Sequence, residues 1–279
     1  MNIWYAICDA IPLDILHWNF MKNALLAILL ITPLLGLISP MIVTGKMSFF
    51  SDALGHSAFT GIAIGAICGI AAPTILAVIF SLVFSLVFSF VRSKSNHTAD
   101  TLIGVFSSTA VALGIFIATL GGNSFTKYNK FLVGDILSVT PKEIGILLLV
   151  LIGVSIFVFL TSNKLTLSAV HPQLASSRNI PVKSTQTAFT AMVAVVVTLA
   201  ISWVGLLILN SLLILPGATA RNISKNLKQY HFFSIIIALI SGVCGLVISF
   251  YFGNSAGAAI SLVLAVFFII SFLLRKVKR

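Results

Sequence analysis

Three stretches of this chain, Ala53 to Val91, Ser184 to Ala220 and Phe232 to Leu274, run without a single Asp, Glu, Lys or Arg. A helix needs about 20 apolar residues to cross the hydrocarbon core of a bilayer. Each of these stretches is long enough to do so twice. Water-soluble domains carry about a quarter charged residues, whereas here only 8% are charged and 59% are hydrophobic. Shorter uncharged runs lie at Asn23 to Gly45, Thr101 to Leu120 and Ile144 to Thr161. The long runs hold chain breakers near their middles: Ala71-Ala72-Pro73, Ser202-Trp203-Val204-Gly205 and Gly253-Asn254-Ser255-Ala256-Gly257. Such clusters read as turns. The expected architecture is therefore an all-α polytopic membrane protein of about 8–9 transmembrane helices. The most detailed reading has nine crossings, with three pairs of them as tight hairpins.

The net charge of +11 does not point to nucleic acid, because Lys and Arg sit in short clusters between apolar runs. That is the pattern of membrane orientation. With the tail "RKVKR" at 275–279 placed in the cytoplasm, alternation puts Lys46, Arg92, Lys94, Lys164, Arg178, Lys183, Arg221, Lys225 and Lys228 on the same side. Thirteen of the seventeen basic residues then lie inside, and Lys22, Lys127, Lys130 and Lys142 lie outside. The expectation is a multi-pass protein of a cytoplasmic membrane with an outward N-terminus and an inward C-terminus. Residues 1–19 lack the basic start of a signal peptide. With Trp4, Tyr5 and Trp18 they read as an interfacial segment before a transmembrane domain at 20–274. Phe131 to Leu137 is too short to cross. Cys8, Cys68 and Cys244 match no metal or redox spacing and read as packing residues.

The chain holds only six acidic residues, and one of them, Asp52, stands four positions before His56 at the start of an uncharged run. Residues four apart share a helix face. An Asp there can cap the helix or complement its dipole. A His at membrane depth still needs a partner, and such groups face a bundle interior or a watery path. A carboxylate and a neutral imidazole also form part of a site for a borderline divalent cation. Two ligands bind weakly, which suits an ion in transit. Gly61, Gly65 and Gly69 follow at four-residue spacing, a small-residue stripe expected to let another helix pack closely.

Two further segments carry information. Leu165 to Lys183, within an inside segment at 164–183, is expected to hold a short amphipathic helix, with Pro172 in its first turn and Leu174, Ala175 and Arg178 at helical spacing. It is either a solvated connector or a docking element. Gly205 to Leu215 reads as a half-length helix returning inward, with Pro216-Gly217 turning the chain toward Arg221.

Together, "GKMSFFSDALGHSAFTGIAIG" (45–65), "ADTLIGVFSSTAVALGI" (99–115), "KFLVGDILSVTP" (130–141), "HPQLASSRNIP" (171–181), "VGLLILNSLLILPGATAR" (204–221) and "GNSAGAAISLV" (253–263) resemble the permease subunits of bacterial ABC importers for zinc and manganese. The resemblance covers about residues 20–275. It departs at Ser51, where Gly is usual, at Gly217, where Ala is usual, and at "HPQLA", which replaces an acid-containing start.

The resemblance implies a type II importer fold, with two permease copies around a central path and two cytoplasmic ATPase subunits. It also implies an extracellular metal-binding protein that delivers the cation. Asp52 and His56 would meet the metal. His171, Pro172, Gln173, Leu174, Ala175 and Arg178 would couple to the ATPase. Lys127, Lys130, Asp135 and Glu143 would face the delivery protein. The cargo would be Zn2+ or Mn2+, with a lean to zinc and with Fe2+ also open, and no cofactor is expected to be tightly bound. The chain has no G-x-x-x-x-G-K-[ST], so ATP hydrolysis is expected in a separate chain. An importer of metal chelates is the alternative; it would prefer a wide apolar path and have no need of Asp52 and His56. An intramembrane enzyme is disfavoured, since H-E-x-x-H is missing.

Overall fold

A computed structural model of the chain describes residues 2–9, 14–69, 73–120 and 134–277. The described residues form eleven α-helices and no strand. In chain order these are α1 Asn2–Asp9, α2 Asn19–Thr44, α3 Phe50–Ile67, α4 Pro73–Lys94, α5 Ala99–Leu120 and α6 Pro141–Val170. There follow α7 Pro172–Ser177, α8 Val182–Val204, α9 Leu206–Ile223, α10 Leu227–Phe252 and α11 Ala256–Val277. Seven of them (α2, α4, α5, α6, α8, α10 and α11) are long and apolar enough to cross a membrane. The two remaining long helices, α3 and α9, have 18 residues each. In α3, Asp52 and His56 dilute the apolar run. Seven of the nine expected crossings thus fall on helices long and apolar enough to cross, and the other two fall on the shorter α3 and α9.

The breakers act through identifiable backbone chemistry. Gly205 ends α8 with φ +84°, and Gly253 ends α10 in the left-handed region at φ +66°. Both conformations are cheap only for glycine. Three expectations are corrected. The helix expected at 144–161 continues to Val170, because no Gly or Pro interrupts it before Pro172 forces His171 out of helical geometry. The chain does not turn at Pro216-Gly217, since α9 runs through them to Ile223. The Gly217 N–H donates instead to the Ser39 hydroxyl at 2.8 Å. A neighbouring helix thereby supports the backbone next to the proline. Finally, Gly69 is not part of a packing stripe. It lies beyond the end of α3 with φ +66°, and nothing stands near the position of its missing Cβ.

The helices fall into two compact units, with α2, α6 and α9 contributing to both. In the unit formed by Met41–Val133 and Phe159–Asn210, α3 is central and packs on α4, α5 and α8. Its small residues make this possible: a Cβ on Gly61 would lie 2.6 Å from the Ala77 Cα. Hydroxyls tie the same faces together. The Ser57 and Ser81 hydroxyls are 3.0 Å apart, and Thr60 donates to the Ala110 carbonyl at 2.9 Å. Phe50, Phe88 and Phe106 form an aromatic chain across α3, α4 and α5.

In the other unit, α10 and α11 pair as the expected hairpin. Ser234 on α10 donates to the Gly36 carbonyl on α2 at 2.6 Å. The N-terminal segment is also held there. The Trp4 indole donates to the Lys22 carbonyl, the Tyr5 hydroxyl donates to Asn23, and Asp9 pairs with the Lys22 ammonium, which is almost fully buried. One of the four cations expected outside therefore has its charge neutralised within the chain. Of the three cysteines, Cys8 is buried, whereas Cys68 and Cys244 are exposed, so a packing role within this chain fits Cys8 alone.

Candidate metal site on the central helix

The first turn of α3 carries Asp52, and the next turn carries His56 on the same face. The Asp52 carboxylate does not cap the helix. Its Oδ1 accepts from the Asn210 amide at 3.1 Å, and its Oδ2 stands 3.5 Å from His56 Nε2. The Ser107 hydroxyl on α5 is also directed toward it. Asn210 is held in turn, because Ser51, fully buried beside Asp52, donates to the Asn210 side-chain oxygen at 2.7 Å. With its oxygen occupied by Ser51, the amide presents its NH2 to Asp52. One carboxylate oxygen is thus committed to α9, and the other is left with the imidazole. The two side chains are partly open, 36% exposed for Asp52 and 28% for His56.

Chemically, the pair offers one hard and one borderline ligand atom. Two ligand atoms bound to a tetrahedral cation at about 2.05 Å lie about 3.3 Å apart. The observed 3.5 Å therefore needs little adjustment to admit an ion between Oδ2 and Nε2. Among the described residues, no group of three or more His, Cys, Asp and Glu could hold a metal. The remaining coordination would have to come from water, from neutral oxygens or from outside this chain. Asn210 and Ser107 were not singled out from the sequence. The available signal for Asn210 was a lone amide in the run "VGLLILNSLLIL".

The other residues singled out from the sequence are spread across the fold. Pro172 occupies the first turn of α7, as expected, and His171 precedes it with extended φ. His171, Gln173, Leu174 and Arg178 are exposed, while Ala175 is fully buried and seats the helix. Gly61 makes the close α3–α4 approach described above, and Gly65 is buried on the same helix. Lys127 and Lys130 lie outside the described residues. Asp135 precedes a single 3-10 turn at Ile136–Ser138. Glu143 accepts from the Thr140 N–H at 2.8 Å and from its hydroxyl at 2.7 Å, forming a capping box at the start of α6.

Seven helices able to cross a membrane, together with a half-open carboxylate–imidazole pair on the central short helix of one unit, are the make-up of a polytopic membrane protein. Residues 17–275 match the ABC 3 transport family, and the chain belongs to it. It is 28% identical to the high-affinity zinc uptake system membrane protein ZnuB of Haemophilus influenzae, over 88% of this chain and 93% of that one. It is 30% identical to the manganese import system permease protein ScaB of Streptococcus gordonii, over 94% of each chain. Among solved structures it resembles PsaBC from Streptococcus pneumoniae, determined in complex with Fab, with a TM-score of 0.80 and 27% identity. That match covers 98% of this chain and 95% of the other. An inward-facing metal-chelate type ABC transporter shares the fold, at a TM-score of 0.66 and 12% identity.

Proposed function

We propose that the chain is the permease of an ATP-driven importer of zinc or manganese. In this reading the cation passes along the face of α3 that bears Asp52 and His56. The observation that carries it is the 3.5 Å pair of Asp52 Oδ2 and His56 Nε2, with the second carboxylate oxygen tied to Asn210. A pair of this kind binds a bare cation and would be superfluous for a chelate that brings its own ligands, which favours the first reading over the second. Two copies of the permease would bring two such pairs and supply the four ligands that one chain lacks.

Uptake of zinc, manganese and iron, compared in cells lacking their own importers, tests the proposal. Accumulation of a free divalent ion is expected, with zinc leading. Uptake of only chelated metal would overturn it.

Energy would enter through α7. This helix has exposed Leu174 and Arg178, a buried Ala175 anchor and the cytoplasmic placement given by the distribution of Lys and Arg. Arg178→Glu with Leu174→Pro is expected to weaken copurification of a separate ATPase about tenfold, with permease expression unchanged. Undiminished assembly and metal-stimulated ATP hydrolysis would leave α7 a connector. Lys127, Lys130, Asp135 and Glu143 remain the proposed outer contacts for a delivery protein, with charge acting on encounter more than on holding.

A further inference from the structure

A second site is lined by the segment that leads into α3, and neither Asp52 nor His56 lines it. In the unit of Met41–Val133 and Phe159–Asn210, a cavity of about 240 Å³ opens at the ends of α2, α4, α6 and α8 that border α7. Lys46 and Arg92 line it, together with Ser168 and Gln186, and Met47 and Phe189 supply apolar wall. Arg92 is partly buried, and it has no acidic or hydrogen-bonding partner among the described residues. Neither does Lys46 or the Gln186 side chain. The Ser168 hydroxyl is 1% exposed and makes no hydrogen bond.

Each of these facts has an ordinary explanation when taken singly. Cations near helix C-termini favour the dipole and mark the inner membrane face. A Ser inside a helix, however, normally returns its hydroxyl to a carbonyl of the preceding turn. Buried polar groups without partners are uncommon and costly. Here a buried donor, an unpaired guanidinium, an ammonium and a free amide surround one cavity, and no carboxylate lines it. Donors without acceptors are the complement of an anion with several oxygens. The mixed lining adds to this, since apolar wall beside cations at the helix ends fits a group that is charged at one end and greasy at the other. Basic pockets between transmembrane helices on the cytoplasmic side take anionic headgroups in general.

We propose that this cavity binds a phosphate-bearing anion, supplied by the headgroup of an anionic glycerophospholipid or by free phosphate. Arg92 would pair with the phosphate oxygens, Lys46 would add charge, and Ser168 and Gln186 would donate to what remains. The site adjoins Pro172 at the start of α7, so occupancy would bear on the segment proposed to meet the ATPase. The anion site does not depend on the metal reading.

Native mass spectrometry of the full chain, presented with equimolar phosphatidylglycerol and phosphatidylcholine, tests it. A cation near the membrane surface contributes about a fivefold preference for an anionic lipid. The wild type is therefore expected to retain phosphatidylglycerol over phosphatidylcholine by about 25-fold. Arg92→Gln with Lys46→Gln should abolish this preference, Arg92→Lys should keep most of it, and Lys225→Gln, away from the cavity, should leave it unchanged. Displacement of the lipid by millimolar inorganic phosphate, or phosphate binding without lipid, would support the site with a soluble anion as its source. Equal retention of both lipids with no phosphate binding would overturn the proposal. So would a preference that survives Arg92→Gln with Lys46→Gln. A wild type indifferent to lipid and phosphate, in which the double variant nevertheless loses its ATPase, would also overturn it, assigning the cavity to an acidic segment of that protein.

Discussion

Asp52→Asn is expected to reduce metal uptake by about 100-fold or more, with the protein present in the membrane at its normal level. The scale follows from metal sites generally, where removing an outer partner of a ligand already costs about 10–100-fold. Removing the charged ligand itself should cost at least the upper end. The substitution nearly preserves shape, and an amide at position 52 can still bond to Asn210. His56→Ala should behave alike, because His56 is partly open and its ring makes no other bond among the described residues than the contact with Asp52. If Asp52 served only the helix terminus, Asn would replace it with little loss. Both variants are read by uptake of radioactive zinc and manganese against expression on a blot. Normal uptake by both would remove the ligand role and leave packing.

Asn210→Leu is expected to lower uptake by about 10–100-fold, chiefly through weaker apparent affinity, because in the proposed reading Asn210 is the outer partner of a ligand. Leu keeps the branching of the side chain but donates nothing to Asp52 Oδ1 and accepts nothing from Ser51. Ser51 keeps a longer bond to the Ser48 carbonyl at 3.3 Å, so the cost in stability should stay near the lower end of about 1–3 kcal/mol. A purely structural role would reduce the amount of folded protein and leave the affinity of the survivors unchanged. The deciding measurement is therefore the concentration dependence of uptake, normalised to protein. An unchanged half-saturation would refute the positioning role of Asn210.

These two residues also show how unevenly the site could be read from the sequence. Asp52 and His56 stand out because charge and imidazole are rare in this chain, and their four-residue spacing has one meaning on a helix. Asn210 is neutral and lies 158 positions from Asp52, and no periodicity connects the two. Glu143 was legible as a charge on the proposed outer side. Its bonds to Thr140 follow from a local T-x-x-E pattern that is equally legible in the sequence.

The sequence by itself determined the fold class and the breaks at Gly205 and Gly253. Those properties follow from local chemistry: uncharged runs must lie in hydrocarbon or a core, and Gly and Pro act on the backbone where they stand. It also determined that Asp52 and His56 share a face, since one helix turn fixes that relation. Only the tertiary structure decided that α9 continues through Pro216, because the hydroxyl that receives the Gly217 N–H belongs to Ser39 on another helix. Only the tertiary structure decided which oxygen of Asp52 stays clear of Asn210, because the other is held by an amide brought in by α9. A helix's period constrains its own residues within a few turns, whereas helix–helix register depends on which small residues meet which neighbours. Gly61 against Ala77 is such a meeting, and the order of residues along the chain does not specify it.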